Sequence, residues 1–477
     1  MVKDLTRGKP TRLIVMFALS MLASSMMSYV YSTTDSMMVS WYVDKHALGA
    51  ISAISPMIGL IDGFASATIG GFAIFAGRVF GSGDHAHLRK LMANASMLAA
   101  IFVIPMTLIS CGGASIIVSL MQTPESFHDN ATVYFLIVMA AMPISAVSWV
   151  CASMFRALGD NKTPLIISGI CGALNVVFNF FFLVVINVGI AGAALGTVCA
   201  TTVGSVMYIL FLKKRMPLLQ FGFEDLHVSK PIVKILLANG VPMGLLSSVI
   251  TIGALILQIA INGHSENVIT GIATGGRLLN IIWIFIQVFE SALVYFCAQN
   301  LGAGEYGRIR QGYRSTAVIM LIMGAIAAFF SIFFGEYVHR LYVGWGNEPD
   351  TLEIIKYANE YIFTQVIFFP FMVGLCAPRG ALKGIGNTVP AVLCGVIELI
   401  ARIVVSLVSV FAPISMEVKL WILYFAGPAA WVGATVFLLI LLPRAFRKME
   451  LHHTPKETLG ARSEVADAER EPVAEKG

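Results

Sequence analysis

Long apolar runs separated by short polar breaks fill the chain from about residue 13 to residue 442. A membrane crossing needs roughly 20 apolar residues. Twelve runs qualify, at about 13–40, 47–77, 87–111, 130–155, 164–186, 190–212, 233–261, 267–298, 312–335, 353–378, 388–411 and 418–442. The pattern predicts an all-α polytopic membrane protein with twelve transmembrane helices. The first run is too long for the core of a signal peptide, about 7–15 residues. A basic, polar linker at 213–232 separates the sixth run from the seventh. The tail, 443–477, is rich in Glu, Lys, Arg, Ala and Pro and is expected to be mobile and cytoplasmic.

The two halves echo each other. FAGRVFGSGDHAHLRK (75–90) returns as CAQNLGAGEYGRIR (297–310), with Gly81 and Gly83 matching Gly302 and Gly304 at an offset of 221. RALGDNKTP (156–164) returns as LKGIGNTVP (382–390), with Pro164 matching Pro390 at an offset of 226. Pro143 and Pro370 sit at nearly the same offset. Duplication in a polytopic chain is a common plan for secondary transporters, whose substrate site lies between the repeats. Each half holds six spans, an even number, so the halves run in the same sense. They form an N-terminal lobe (1–212) and a C-terminal lobe (233–442) related by a pseudo-two-fold axis along the membrane normal.

Charge sets the expected direction. Lys and Arg crowd one set of connections: Lys3 to Arg12, Arg78 to Lys90, Arg156 and Lys162, the linker, Arg308 to Arg314, Arg379 and Lys383, and Arg444 to Lys448. The opposite ends hold Lys45, Arg340, Lys356 and Lys419. This bias predicts both termini in the cytoplasm of a cell bounded by its plasma or inner membrane. Composition agrees with a bilayer setting: 57% of residues are hydrophobic and 12% charged, against roughly 25% charged in soluble domains. The net charge of +5 is modest and calls for no nucleic-acid partner. Seven cysteines with no CxxC pair read as packing residues, so neither a metal site nor a cofactor is expected.

Ionisable groups in a span cost at least roughly 2.5–3.5 kcal/mol each at mid-membrane, so each needs a reason. Six stand out: Asp35, Asp62, Arg277, Glu290, Glu398 and Arg402. Ser24, Ser28, Tyr31 or Ser32, and Asp35 recur on one helical face. That stripe suggests a hydrated cavity in which Asp35 exchanges a proton or ligates Na⁺; the bland alternative is a carboxyl satisfied by hydroxyls. A second stripe, Ser168, Cys171 or Gly172, Asn175 and Asn179, could ligate a cation, hydrogen-bond Asp35 or simply join helices. Asp62, beside Gly59, Gly63 and Ser66, is a second titratable site or a cleft residue. Glu290 shares a face with Gln287 and either faces the cleft or pairs with Arg277 or Arg402. Glu398 and Arg402, four apart, can pair within one helix. The long stem of Arg277 can carry its head to water. Tyr31, Gln287, Glu290, Arg277, Glu398 and Arg402 are therefore the candidate substrate-cleft residues. Met and Phe in such a cleft would suit varied ligands.

These segments resemble the multidrug and toxic compound extrusion (MATE) transporters over nearly the whole chain to about 442. YSTTDSMMVSWYV looks like the family's Tyr-x-x-x-Asp segment, carried by Tyr31 and Asp35. GSGD and GAGE resemble the loops after helices two and eight, and RALGDNKTP the loop before helix five. ALNVVFNFFFL with NVGIAGAALGTV resembles helix five and the start of helix six. The resemblance implies two six-helix lobes forming a V, and export of organic compounds driven by H⁺ or Na⁺. It also implies a cation site in the first lobe, which Asp35, Asn175 and Thr197 match. The family's helix-five acid is Asn179 here, which removes a negative charge and favours H⁺ over Na⁺, with Asp35 as the main protonation site and Asp62 in support. Other members carry acids on helices seven and ten, whereas helix seven here has Gln258 and no acid and helix ten has none in its interior.

The sequence therefore predicts a monomeric antiporter that exports amphipathic, often cationic organic compounds by alternating access. The alternative within the superfamily is a flippase for a lipid-linked saccharide, which would want a more cationic cleft. A membrane-embedded enzyme would want histidines at membrane depth, and the interiors of the predicted spans have none. A channel fits a duplicated two-lobe plan less well.

Overall fold

The computed structural model describes residues 4–43, 45–121 and 123–453. Most of the predicted tail lies outside these residues. Sixteen α-helices occur in the described chain: α1 (Pro10–Tyr42), α2 (Lys45–Gly81), α3 (His85–Gly112), α4 (Ala114–Leu120), α5 (Glu125–Ala140), α6 (Met142–Ala157), α7 (Lys162–Phe180), α8 (Ile190–Arg215), α9 (Lys230–Ile261), α10 (Glu266–Gly302), α11 (Tyr306–Val343), α12 (Pro349–Ile367), α13 (Phe369–Gly384), α14 (Val389–Phe411), α15 (Met416–Tyr424) and α16 (Ala426–His453). A π-helical turn, Phe181–Val185, extends α7. Ten helices are long and apolar enough to span a bilayer; two bent pairs, α5/α6 and α12/α13, bring the count to twelve.

The bends have a chemical cause. The chain turns by 46° between α5 and α6 and by 54° between α12 and α13. Each new helix carries a proline in its first turn, Pro143 or Pro370. Proline has no N–H to give and its ring clashes with the carbonyl four residues back, so the helix stops and restarts. Pro56, Pro105 and Pro242, by contrast, stay inside continuous helices.

The sequence repeat is also a repeat of geometry. Gly83 and Gly304 adopt φ 77° and 76°, and Gly159 and Gly386 adopt 84° and 77°. All four turns need a left-handed residue, which only glycine enters at no steric cost. Asp160 then caps α7, accepting the N–H of Lys162 at 3.0 Å and of Thr163 at 3.1 Å.

The lobes meet where α2 and α10 end, and the contact is reciprocal. A methyl group on Gly81 would collide with the Gln299 carbonyl; one on Gly302 would collide with the Arg78 carbonyl. Arg78 and Gln299 are themselves 221 positions apart, as Gly81 and Gly302 are. Arg78 Nη2 donates to the Ile385 carbonyl at 2.8 Å, and Gln299 Nε2 to the Ala157 carbonyl at 2.7 Å. Residue i of one half thus meets j of the other, and j meets i, the signature of a two-fold contact. The segment before α1 seals the same end. Leu5 is fully buried; its N–H donates to Gln299 Oε1 at 2.9 Å and its carbonyl accepts from Asn300 Nδ2 at 3.2 Å.

The linker is less free than its polarity suggests. Arg89 pairs with Asp225 at 3.0 Å, and Asn94 of α3 accepts the Ser229 N–H at 3.0 Å. It is strapped across α3 between the end of α8 and the start of α9.

Candidate functional site

In the first lobe, α1 and α7 run parallel in constant register. Ser24 Oγ donates to Ser168 Oγ at 3.0 Å, and Asn161 Nδ2 to the Phe17 carbonyl at 2.9 Å. Asn179 Nδ2 donates to Asp35 Oδ1. In all three pairs the partners are 144 residues apart. Tyr31 packs over Gly172 between them. Asn179 Nδ2 also donates to Asn175 Oδ1 at 3.2 Å, and Asn175 Nδ2 to Thr197 Oγ1 of α8 at 3.2 Å. One carboxylate, two amides and a hydroxyl therefore form a single chain of hydrogen bonds across α1, α7 and α8. Asn175 and Asn179 are buried, at 2% and 0% exposure. Asn179 Oδ1 faces Gly196, where any side chain would strike it, and has no partner. The π-helical turn begins two residues after Asn179, a local unwinding often found at functional sites.

A cavity of about 780 Å³ lies between the lobes beside this chain. Tyr31, Asp62 and Thr197 line it from the first lobe, Ser247, Gln287 and Ser291 from the second. Arg156, at the end of α6, also lines it.

The second lobe carries a different centre. Arg379 of α13 grips Glu290 of α10 with both arms, Nε to Oε1 at 2.9 Å and Nη2 to Oε2 at 2.8 Å. Lys383 Nζ reaches Glu290 Oε1 at 2.5 Å. Arg379 Nη1 extends to Glu398 of α14 at 3.4 Å, and Arg402 Nη2 to the same carboxylate at 3.9 Å. Glu290, Arg379 and Glu398 are 3%, 4% and 2% exposed. Bidentate, charge-assisted pairing of this kind is what a buried carboxylate requires.

Known proteins share this architecture. The MatE family profile matches residues 20–181 and 242–408. The chain belongs to the MatE family. It is a membrane efflux transporter and not an enzyme. It is 24% identical over 402 residues to the probable multidrug resistance protein YpnP of Bacillus subtilis, covering 83% of this chain and 87% of that one. It is 22% identical to an FAD transporter of Shewanella oneidensis, covering 72% and 76%. An outward-facing MATE family transporter of the MOP superfamily superposes with a TM-score of 0.85 at 18% identity, over 94% of this chain and 98% of that one.

Within this MatE-family transporter the predicted residues sort into three groups. Asp35, Asn175, Asn179 and Thr197 come together. Tyr31, Asp62 and Gln287 line the inter-lobe cavity, with no hydrogen bond from Asp62 to the Asp35 chain. Glu290, Glu398, Arg402 and Arg277 are not among the residues lining that cavity, and the pair expected between Glu398 and Arg402 within one helix is present at 3.9 Å. The first three are consumed by the buried ion cluster, and the Arg277 guanidinium stacks over Tyr342, 4.8 Å from its ring centre. Glu290 pairs with neither Arg277 nor Arg402.

Sequence reasoning missed Arg379 and Lys383, which were counted as cytoplasmic-loop charges. They lie on α13, which runs to Gly384 before the turn begins. The available signal was stoichiometric: two buried acids on helices eight and eleven demand cations, and Arg379 and Lys383 are one helical turn apart. Arg156 was missed for the same reason. His339, outside the predicted spans, is buried on the extended α11, and neither ring nitrogen has a partner.

Proposed function

We propose that this transporter is an H⁺-driven antiporter that exports organic solutes by alternating access, with Asp35 as its coupling acid. The observation that carries the reading is the hydrogen-bond chain from Asp35 through Asn179 and Asn175 to Thr197. Its one ionisable member is held by a neutral donor. Ionised, Asp35 accepts from the Asn179 amide. Protonated, it gains an O–H to donate, and Asn179 Oδ1 is an acceptor without a partner. Rotation of the Asn179 amide exchanges one arrangement for the other. Such a step alters how α1 grips α7 and α8. A proton shifts the balance of inward- and outward-facing states only by its differential affinity for them, and this exchange supplies a source of that difference.

The same geometry disfavours Na⁺. A sodium ion wants several anionic or carbonyl oxygens around it. The site carries a single negative charge. The names of the relatives, multidrug resistance proteins and an FAD transporter, are consistent with organic cargo. The expected setting is the cell membrane, with both termini on the cytoplasmic side and the chain acting as a monomer.

The test is reconstitution into liposomes with separately imposed H⁺ and Na⁺ gradients and a panel of fluorescent organic solutes. Uptake driven by the proton gradient alone supports the proposal. Strict dependence on Na⁺ at fixed pH refutes it.

A further inference from the structure

The cavity between the lobes has a chemistry that the coupling site does not explain. Ten serine and threonine side chains and three tyrosines line it. Several of these hydroxyls are spent within the protein: Ser148 bonds Ser205 at 2.8 Å, Ser153 donates to the Val150 carbonyl at 3.0 Å, and Thr197 accepts from Asn175. The hydroxyls of Ser28, Ser145, Ser247 and Ser291 make no hydrogen bond to any described residue, and they come from both lobes. A hydroxyl offers one donor and two acceptor positions, so these four present a polar surface open to a solute. A lipophilic drug would leave them unmatched, at a cost that grows as water is excluded.

Arg156 supplies the charge. Among the described residues it is the one Lys or Arg in the lining of this cavity and also of the adjoining space of about 520 Å³, which shares Ser28, Ser168, Gln287 and Ser291. A cation in the last turn of a helix is often there to meet the helix dipole. Here the guanidinium edges two cavities and makes no ion pair or hydrogen bond with any described residue. Its fork of donors matches a carboxylate or phosphate in two parallel hydrogen bonds. Asp62, the acid in the same lining, likewise makes no ion pair with any described residue. An ionised carboxylate accepts from hydroxyl groups, so Asp62 complements the hydroxyls of a solute whose anionic end lies on Arg156.

We propose that the inter-lobe cavity takes polyhydroxylated organic anions, with Arg156 holding the anionic group and the unpartnered serines and Asp62 holding the hydroxyls. This deepens the export reading by naming its cargo and departs from the expectation of cationic solutes. It can be tested by binding alone, with no gradient, so a failure of proton coupling does not touch it.

The experiment measures equilibrium binding to the purified full-length protein in detergent. Three probes are used: 4-methylumbelliferyl glucuronide, which has hydroxyls and a carboxylate; the matching glucoside, which has hydroxyls alone; and ethidium, an apolar cation. The glucuronide is expected to bind at least about tenfold more tightly than the glucoside, the scale of one added charge-assisted pair. Arg156→Gln should bring the two to within about twofold, and Arg156→Lys should keep part of the difference. Competition by free glucuronate against glucose 6-phosphate then tells carboxylate from phosphate. Equal binding of glucuronide and glucoside by the wild-type protein overturns the proposal, as does tighter binding of ethidium than of the glucuronide. An unchanged ratio in Arg156→Gln overturns the role of Arg156. If Arg156→Gln does not fold, the wild-type ratio still decides.

Discussion

The two lobes are copies of one plan that hold the acids of their spans in opposite ways. In the first lobe, Asp35 meets an amide, and the next atoms along the chain are another amide and a hydroxyl. No cation pairs with it among the described residues, and one acceptor nearby is left open. In the second lobe, Glu290 is held by Arg379 and Lys383, and Glu398 by Arg379 and Arg402. Every carboxylate there has a fixed counter-charge. A carboxyl held by neutral groups can change its protonation and its partner at small cost. A carboxylate gripped by two cations cannot lose its charge without leaving them unbalanced. Duplication thus left one half with a group suited to switching and the other with a rigid tie between α10, α13 and α14.

The largest effect should come from breaking that tie. Arg379→Met removes the counter-charge that Glu290 and Glu398 share, and stranding a buried charge costs about 3–5 kcal/mol. The expected result is a large drop in the thermal unfolding midpoint in detergent, for the free protein and with every ligand. Glu290→Gln should fall in the same direction. The comparison breaks if Glu290→Gln keeps its melting temperature and loses binding of selected solutes only, for then Glu290 faces cargo.

Next in size is the loss of coupling in the other half. Asp35→Asn keeps shape and hydrogen-bonding capacity but cannot take a proton. Proton-driven efflux from liposomes should fall to background, while thermal stability stays close to the wild type, since no ion pair is lost. A stability loss as great as that of Arg379→Met would place Asp35 in the same structural class as Glu290.

A smaller effect tests where the halves remain alike. Gly81→Ala and Gly302→Ala each push a methyl group into the backbone of the opposite lobe. Overpacking of this kind costs about 1–3 kcal/mol. Because the contacts are reciprocal, the two variants should lose stability by similar amounts and slow transport alike. A large inequality would show that the closed end is not symmetric in energy.

Most of the fold was legible because it rests on strong, local signals. Span length, the matched GSGD and GAGE segments and the paired prolines all follow from bilayer thickness and backbone sterics, which act wherever the residues occur. The π-helical turn after Asn179 and the break at Pro370 rather than at Pro56 depend on packing, which a pattern does not display. The Asp35 chain was legible in part, since two helical stripes of polar residues must face each other in lipid. Of the ion cluster, the Glu398–Arg402 pair was legible from its spacing, and the rest was missed because Arg379 and Lys383 lie close to a turn. Proximity to a turn looks like exposure in sequence, whereas both residues sit in the last turns of α13 and pair with Glu290 of α10. Arg156 shows the same confusion between a loop charge and a cavity charge.

The smallest expected effect is the most informative about ion choice. Asn179→Asp restores a second carboxylate beside Asp35, at a buried position that already holds a side chain of the same size. Two neighbouring carboxylates repel, so the pair favours either a shared proton or a bound cation. Asn175 Oδ1 and Thr197 Oγ1 are then oxygen ligands close to two acids, a donor set better suited to Na⁺ than the native one. A modest gain in Na⁺-dependent efflux is expected at alkaline pH, where the shared proton is lost, with little change at acid pH. That outcome would show that one amide separates proton from sodium coupling in this lobe. Unaltered ion dependence at every pH would mean that Asn179 does not set the choice, and the contrast between the lobes would have to rest on Asp35 alone.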